Sequence, residues 1–176
     1  MFIKTDLGIL LKFPSKVKNY PGVIIDTLYH GTSDIYLESI KENGLIVGNR
    51  KNPSNEKAIY FSPIDYYASG EAYNTTEYDE WTDTEGVGGN PIVLEIDINK
   101  LDVSLLDGDD ECDWIVYTGD NVDKENPITI PASILYKANI PVDCIKEIHF
   151  IKNDMQKFNM KIYSENFELI KNLRQV

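Results

Sequence analysis

Residues 22–33 read Gly22-Val23-Ile24-Ile25-Asp26-Thr27-Leu28-Tyr29-His30-Gly31-Thr32-Ser33. The first eight are rich in β-branched side chains and predict a strand. That strand runs straight into a histidine, a glycine, two hydroxyl residues and a helix start. The order places an imidazole and bare backbone polar groups at the mouth of a cleft. The only other histidine, His149, alternates within an apolar strand, where a structural part is expected.

Downstream, Ser33 or Asp34 caps a short helix whose apolar side is Ile35, Tyr36, Leu37 and Ile40. Lys41 suits its last turn, Gly44 its left-handed cap, and Leu45 folds back onto it. A polar loop over 49–57 leads to a strand, Ala58-Ile59-Tyr60-Phe61, and to Ser62-Pro63-Ile64-Asp65. That tetrapeptide predicts a helix with Ser62 as its N-cap and Ile64, Tyr67, Ala68 and Ala72 on the buried side. Residues 74–90, acidic and then glycine-rich, read as a mobile loop or lid. The run 92–98 alternates cleanly and predicts a strand. Short strands follow at 114–117, 128–130, 134–136 and 145–151, with polar acidic stretches at 107–113 and 118–126. Ser164 begins a last amphipathic helix, 164–175, carrying Phe167, Ile170 and Leu173. At the other end, the mildly basic residues 1–20 form an arm laid over the domain or a recognition segment. The expected class is α+β with an antiparallel or mixed sheet, in a single domain over 1–176.

Composition narrows the function. Of 176 residues, 17 are Lys or Arg and 29 are Asp or Glu, a net charge of −12. Only Arg50 and Arg174 carry the forked guanidinium suited to phosphate. Extended binding along a nucleic-acid backbone is therefore disfavoured. Cys112 and Cys144 match no paired spacing and read as two thiols in a reducing compartment. The apolar run Ile9-Leu10-Leu11 is too short for a secretory core or membrane span, so a cytoplasmic protein with no membrane partner is expected. There is no phosphate loop, no zinc spacing and no serine elbow. Asp107, Asp109, Asp110, Glu111 and Asp113 lack the spacing of a calcium loop, and no metal is expected.

Taken in order, Leu28-Tyr29-His30-Gly31-Thr32-Ser33, Gly44-Leu45, Ile59-Tyr60-Phe61-Ser62 and Ala72-Tyr73 resemble the ADP-ribosyltransferase superfamily. The likeness is closest to the branch of the poly(ADP-ribose) polymerases and RNA 2′-phosphotransferases. Residues 90–98 and 134–150, with Ile140-Pro141 inside, resemble its later strands, so the likeness covers roughly 22–151. The resemblance implies a split antiparallel or mixed sheet with short helices between the early strands. It also implies NAD as co-substrate and cleavage of its bond between ribose and nicotinamide, through an oxocarbenium-like state akin to that of glycoside hydrolysis.

On this likeness, Gly31 offers its N–H and C=O to the nicotinamide amide, with Thr32 beside it, and His30 holds a hydroxyl of the adenosine ribose. Tyr60 stacks on the nicotinamide ring, and Ser62 and Tyr73 complete the wall. For Tyr73 a packed helix position is an equal reading. One departure matters. The glutamate that many active transferases carry before Ile-Pro falls on Ser133, which can bond a hydroxyl but brings no negative charge. Glu125 and Glu111, in loops before that strand, are substitutes to weigh. Tyr60 stands where the phosphotransferases have a second histidine, so a 2′-phosphate pocket is disfavoured. The expected activity is mono-ADP-ribosyl transfer to a macromolecule, a protein in preference to a nucleic acid. The alternative is a non-catalytic binding module or an acidic mimic of nucleic acid.

Overall fold

The computed structural model describes residues 2–11, 23–48, 57–79, 84–108, 114–117, 128–151, 159–163 and 169–174. In chain order the strands are β1 (Phe2–Thr5), β2 (Gly8–Leu11), β3 (Val23–Ile25) and β4 (Leu28–Ser33). A 3₁₀ turn, Asp34–Tyr36, leads into helix α1 (Leu37–Asn43). Next come β5 (Ile59–Phe61), helix α2 (Asp65–Thr76), β6 (Tyr78–Asp79), β7 (Thr84–Glu85) and β8 (Pro91–Ile96). The remainder is β9 (Leu106–Gly108), β10 (Trp114–Tyr117), β11 (Ile128–Pro131), β12 (Ile134–Tyr136), β13 (Ile145–Phe150), β14 (Asn159–Tyr163) and β15 (Leu169–Arg174). The class is α+β, with mostly small antiparallel sheets.

Two three-stranded sheets, β13-β8-β4 and β5-β12-β9, carry the centre of the molecule. Their edges meet at one point, where Tyr29 and Ser62 exchange both backbone hydrogen bonds at 2.8 and 2.9 Å. The alternating run 91–96 lies between β4 and β13, which explains its burial: Ile92, Val93, Leu94 and Ile96 are all fully buried. On one face its side chains join Leu28, Ile59, Phe61, Ile134 and Ile140 in the main core. On the other, Val93 packs with Ala68 and Ala72 of α2 and with Ile151. No helix among the described residues is long and apolar enough to cross a membrane.

The first helical segment has its expected ends, but Ile35 and Tyr36, read onto its apolar side, are exposed, as is Tyr67, read onto the buried side of α2. The Ser33 hydroxyl accepts the N–H of Ile35 at 3.3 Å, and Gly44 takes φ +74°, a conformation costly for any side chain. Leu45 is buried and pairs with Ile140 through two 2.9 Å hydrogen bonds.

Five further expectations are corrected. The strand of 22–29 is two strands, broken at Asp26-Thr27, and β4 continues to Ser33 because β8 offers it a partner for all six residues. His30 is thus within the strand and not at its end. Helix α2 begins at Asp65, with extended Ile64 as its N-cap. Ser62 does not cap the helix because Ile64, two residues on, is still extended (φ −123°, ψ 119°); the Ser62 hydroxyl accepts the N–H of Ile64 at 3.1 Å in the turn before the helix. The described part of 74–90 is no loose lid: α2 runs to Thr76, and 86–90 is pinned. Val87 and Gly88 donate to Thr75 and Thr76 carbonyls, Ser33 Oγ donates to Gly88 O at 2.6 Å, and Asp34 accepts two hydrogen bonds from Asn90 at 2.8 Å. Asn90 accordingly holds the Asp34 carboxyl below the usual carboxylate range.

The terminal segments depart most. Within 1–20, residues 2–5 and 8–11 are no arm but a hairpin that joins β3 in a five-stranded sheet, β1-β2-β3-β14-β15. Within 164–175, residues 169–174 are a strand, not a helix. The three-residue spacing of Phe167, Ile170 and Leu173 mimics helical periodicity, but pairing with 159–163, which itself joins β3, overrides it. Glu111, Cys112 and 118–126 lie outside the described residues.

One consequence concerns α2. Gly70 lies in its exposed middle, and a Cβ there would meet nothing within 4 Å. Gly70→Ala is expected to stabilise the fold by about 1 kcal/mol by removing backbone freedom from the unfolded chain. Urea denaturation checks this; a loss of stability would contradict the placement.

Candidate functional site

The bridge between Tyr29 and Ser62 fixes where the site residues lie. In an extended strand, successive backbone N–H and C=O groups point to opposite edges. Tyr29 directs its pair towards β5, so Gly31, two residues on, directs its own to the same edge, beside Tyr60 and beyond the last β4–β5 pairing. A donor and an acceptor side by side on a strand edge are what a primary carboxamide matches.

Gly31 has a second constraint. A Cβ there would lie 1.8 Å from the Ala68 carbonyl oxygen and 2.7 Å from the Ala72 nitrogen. The missing side chain lets α2 lie directly on β4.

His30 is half-buried, and its ring stands edge-on to Phe61 with centroids 5.9 Å apart. Its Nδ1 lies 2.8 Å from the Tyr60 carbonyl oxygen. A carbonyl only accepts, so Nδ1 carries the proton, and in the neutral ring Nε2 bears the lone pair. That bond ties the imidazole to β5 and fixes its tautomer.

Tyr60 is half-buried between two core residues, Ile59 and Phe61. Strand alternation places it on the face opposite theirs, across from Leu135 of β12. Ser133 is half-buried and immediately precedes Ile134, the partner of Phe61, so it lies at the end of β5 where the two sheets meet.

Thus His30, Gly31 and Tyr60 meet at the β4–β5 junction, joined by the bond from His30 Nδ1 to the Tyr60 main-chain carbonyl, and Ser133 lies on the β12 side of β5. The other expected residues fare differently. Thr32 and Ser62 are buried, at 7% and 5% exposure, and the Ser62 hydroxyl belongs to the turn before α2. Tyr73 packs against the cluster of Ala68, Ala72, Val93 and Ile151, the packed-helix reading. Glu125 lies outside the described residues.

The α2-facing side of the sheet holds a polar group that the sequence did not reveal. Tyr29, Glu95 and Glu147 are aligned across β4, β8 and β13. Lys146 Nζ donates to Glu95 Oε1 at 2.5 Å, and His149 Nε2 lies 3.3 Å from Glu95 Oε2. Burial works to raise the Glu95 carboxyl, but the hydrogen bonds from Lys146 and His149 overcome it and hold it below the usual range. Burial, reinforced by Glu95 and Asp65, raises the Tyr29 phenol, which therefore stays protonated.

Asp65 is 3% exposed, and burial pushes its carboxyl up. A carboxylate whose folded pKa is raised contributes full stability below its unfolded value and loses it as pH climbs through the folded value. Asp65→Asn is therefore expected to be more stable than the parent at neutral pH in EDTA, with the advantage shrinking as pH falls towards 3.8. Urea midpoints across that range decide it; an Asn variant less stable at pH 7 would contradict the assignment.

No protein-family model and no curated protein matches this chain.

Proposed function

We propose that the protein is an NAD-dependent mono-ADP-ribosyltransferase that modifies a macromolecular target, a protein in preference to a nucleic acid. The observation that carries this reading is the junction of β4 with β5, which sets the Gly31 edge beside the His30 ring and Tyr60. There the Gly31 N–H donates to the carboxamide oxygen of nicotinamide, and the Gly31 C=O accepts from its amide nitrogen. Tyr60 flanks the pyridinium ring, and His30 Nε2 accepts a ribose hydroxyl of the adenosine half. Held at both ends, NAD presents its ribose–nicotinamide bond in a bent shape. The bond breaks with its electron pair leaving on nicotinamide, positive charge develops on the ribose, and an acceptor nucleophile closes on the vacated carbon.

The acceptor preference follows from charge. A chain of net −12 repels a polyanion at low salt. The test is incubation with NAD labelled in the adenosine half and a cell lysate. Label on protein is the expected result; neither transfer nor NAD turnover, with NAD bound, would overturn catalysis. Released ADP-ribose without modified target would identify a hydrolase instead.

A second reading rests on Ser133. A serine at the start of β12 bonds a ribose hydroxyl but cannot offset the developing cation, which suits a module that binds NAD or an ADP-ribose compound without turning it over. Ser133→Glu separates the two. NAD affinity is expected to stay within about threefold while cleavage rises about tenfold, a part of what one well-placed electrostatic group supplies. No gain would mean that another carboxylate already serves or that the site only binds.

A further inference from the structure

We propose that the sheet face beneath the N-terminal end of α2 holds a divalent first-row transition-metal ion, ligated by His149 Nε2 and one carboxylate oxygen each from Glu95 and Glu147. The placement follows from strand geometry. Glu147 and His149 are two apart on β13 and share a face, and Glu147 lies directly opposite Glu95 of β8. One ligating atom from each of the three lies within 4.8 Å of the other two. His149 Nε2 is 3.3 Å from Glu95 Oε2 and 3.9 Å from Glu147 Oε2. Ligands about 2.1 Å from a tetrahedral ion stand roughly 3.4 Å apart, so the three atoms need only small shifts to close on one.

The second observation is independent of that triad. Asp65, the first residue of α2, is 3% exposed, and its Oδ1 is buried with no hydrogen-bond partner among the described residues. Asp65 opens the helix whose Ala68 and Ala72 pack on Val93 and Tyr29, the face of β4 and β8 that also carries Glu95. A buried carboxylate oxygen with nothing to accept from is costly. A water on the bound ion supplies the missing donor, with Asp65 as an outer partner.

The charges agree. Among the described residues, Asp65, Glu95 and Glu147 gather with one lysine, Lys146, which takes Glu95 Oε1 and leaves Oε2 towards His149. Asp26 adds to the negative field on Lys146 and Tyr29. The ion takes the place of the 3.3 Å contact between His149 Nε2 and Glu95 Oε2. An imidazole nitrogen with two carboxylates selects zinc-like or manganese-like ions over calcium and magnesium. The ligands come from two paired strands, so no spacing along the chain announces them.

The test is calorimetric titration of the full chain, stripped with EDTA and exchanged into non-chelating buffer at pH 7.5, with Zn²⁺ and, in parallel, Ca²⁺. One saturable equivalent of Zn²⁺ with a rise in melting temperature is expected. His149→Ala and Glu147→Gln are each expected to weaken it at least about tenfold, the scale set by losing even an outer partner. Glu147 has a 62% exposed side chain, so its variant keeps the fold, and melting in EDTA confirms this for both. No saturable Zn²⁺ binding, binding unchanged by both variants, or Ca²⁺ binding as tight as Zn²⁺ would each overturn the proposal.

Discussion

Gly31→Ala is expected to destabilise the fold by about 3 kcal/mol, the upper end of ordinary overpacking. The added methyl would stand 1.8 Å from a backbone oxygen of α2 and 2.7 Å from a backbone nitrogen, and no rotamer change relieves a clash between main chain and Cβ. The helix must lift from β4, and with it the contact of Ala68 and Ala72 with Val93. Urea denaturation beside Gly70→Ala makes the comparison internal: the same chemical change in the same structural unit is expected to act in opposite directions. A Gly31→Ala loss below about 1 kcal/mol would mean that α2 does not lie directly on the strand.

Tyr60→Ala is expected to weaken NAD binding by about 1–2 kcal/mol, or roughly five- to thirtyfold, through lost ring stacking and apolar area. His30 Nδ1 bonds the main-chain carbonyl of Tyr60, so the substitution leaves that hydrogen bond in place. Calorimetry with NAD, on a variant whose melting temperature shows it folded, reads the effect. An unchanged affinity would remove Tyr60 from the site.

Much of the centre was legible in sequence, and the reasons are local. The cap at Ser33, the positive φ of Gly44 and the strand read over 92–98, which ends at Ile96 where Asp97 caps a 3₁₀ turn, each depend on a few adjacent residues. The grouping of His30, Gly31 and Tyr60 was also legible, because the order of short elements brings β5 back beside β4. What misled was tertiary. Ser62 has the makings of an N-cap, but it is tied to a strand thirty-three residues earlier, Ile64 stays extended, and the helix starts only at Asp65. Residues 169–174 have helical spacing, but a neighbouring strand claims them. Asp65, Glu95, Glu147 and His149 were invisible as a group, since only the β8–β13 register and the docking of α2 bring them together.

Nicotinamide titrated into the isotope-labelled protein, with the Gly31 amide followed by NMR, reads the proposed carboxamide contact without requiring catalysis. A saturable downfield shift of that amide, reduced in Tyr60→Ala, is the expected result. A Gly31 resonance that stays fixed while nicotinamide binds elsewhere, or does not bind, would contradict the account.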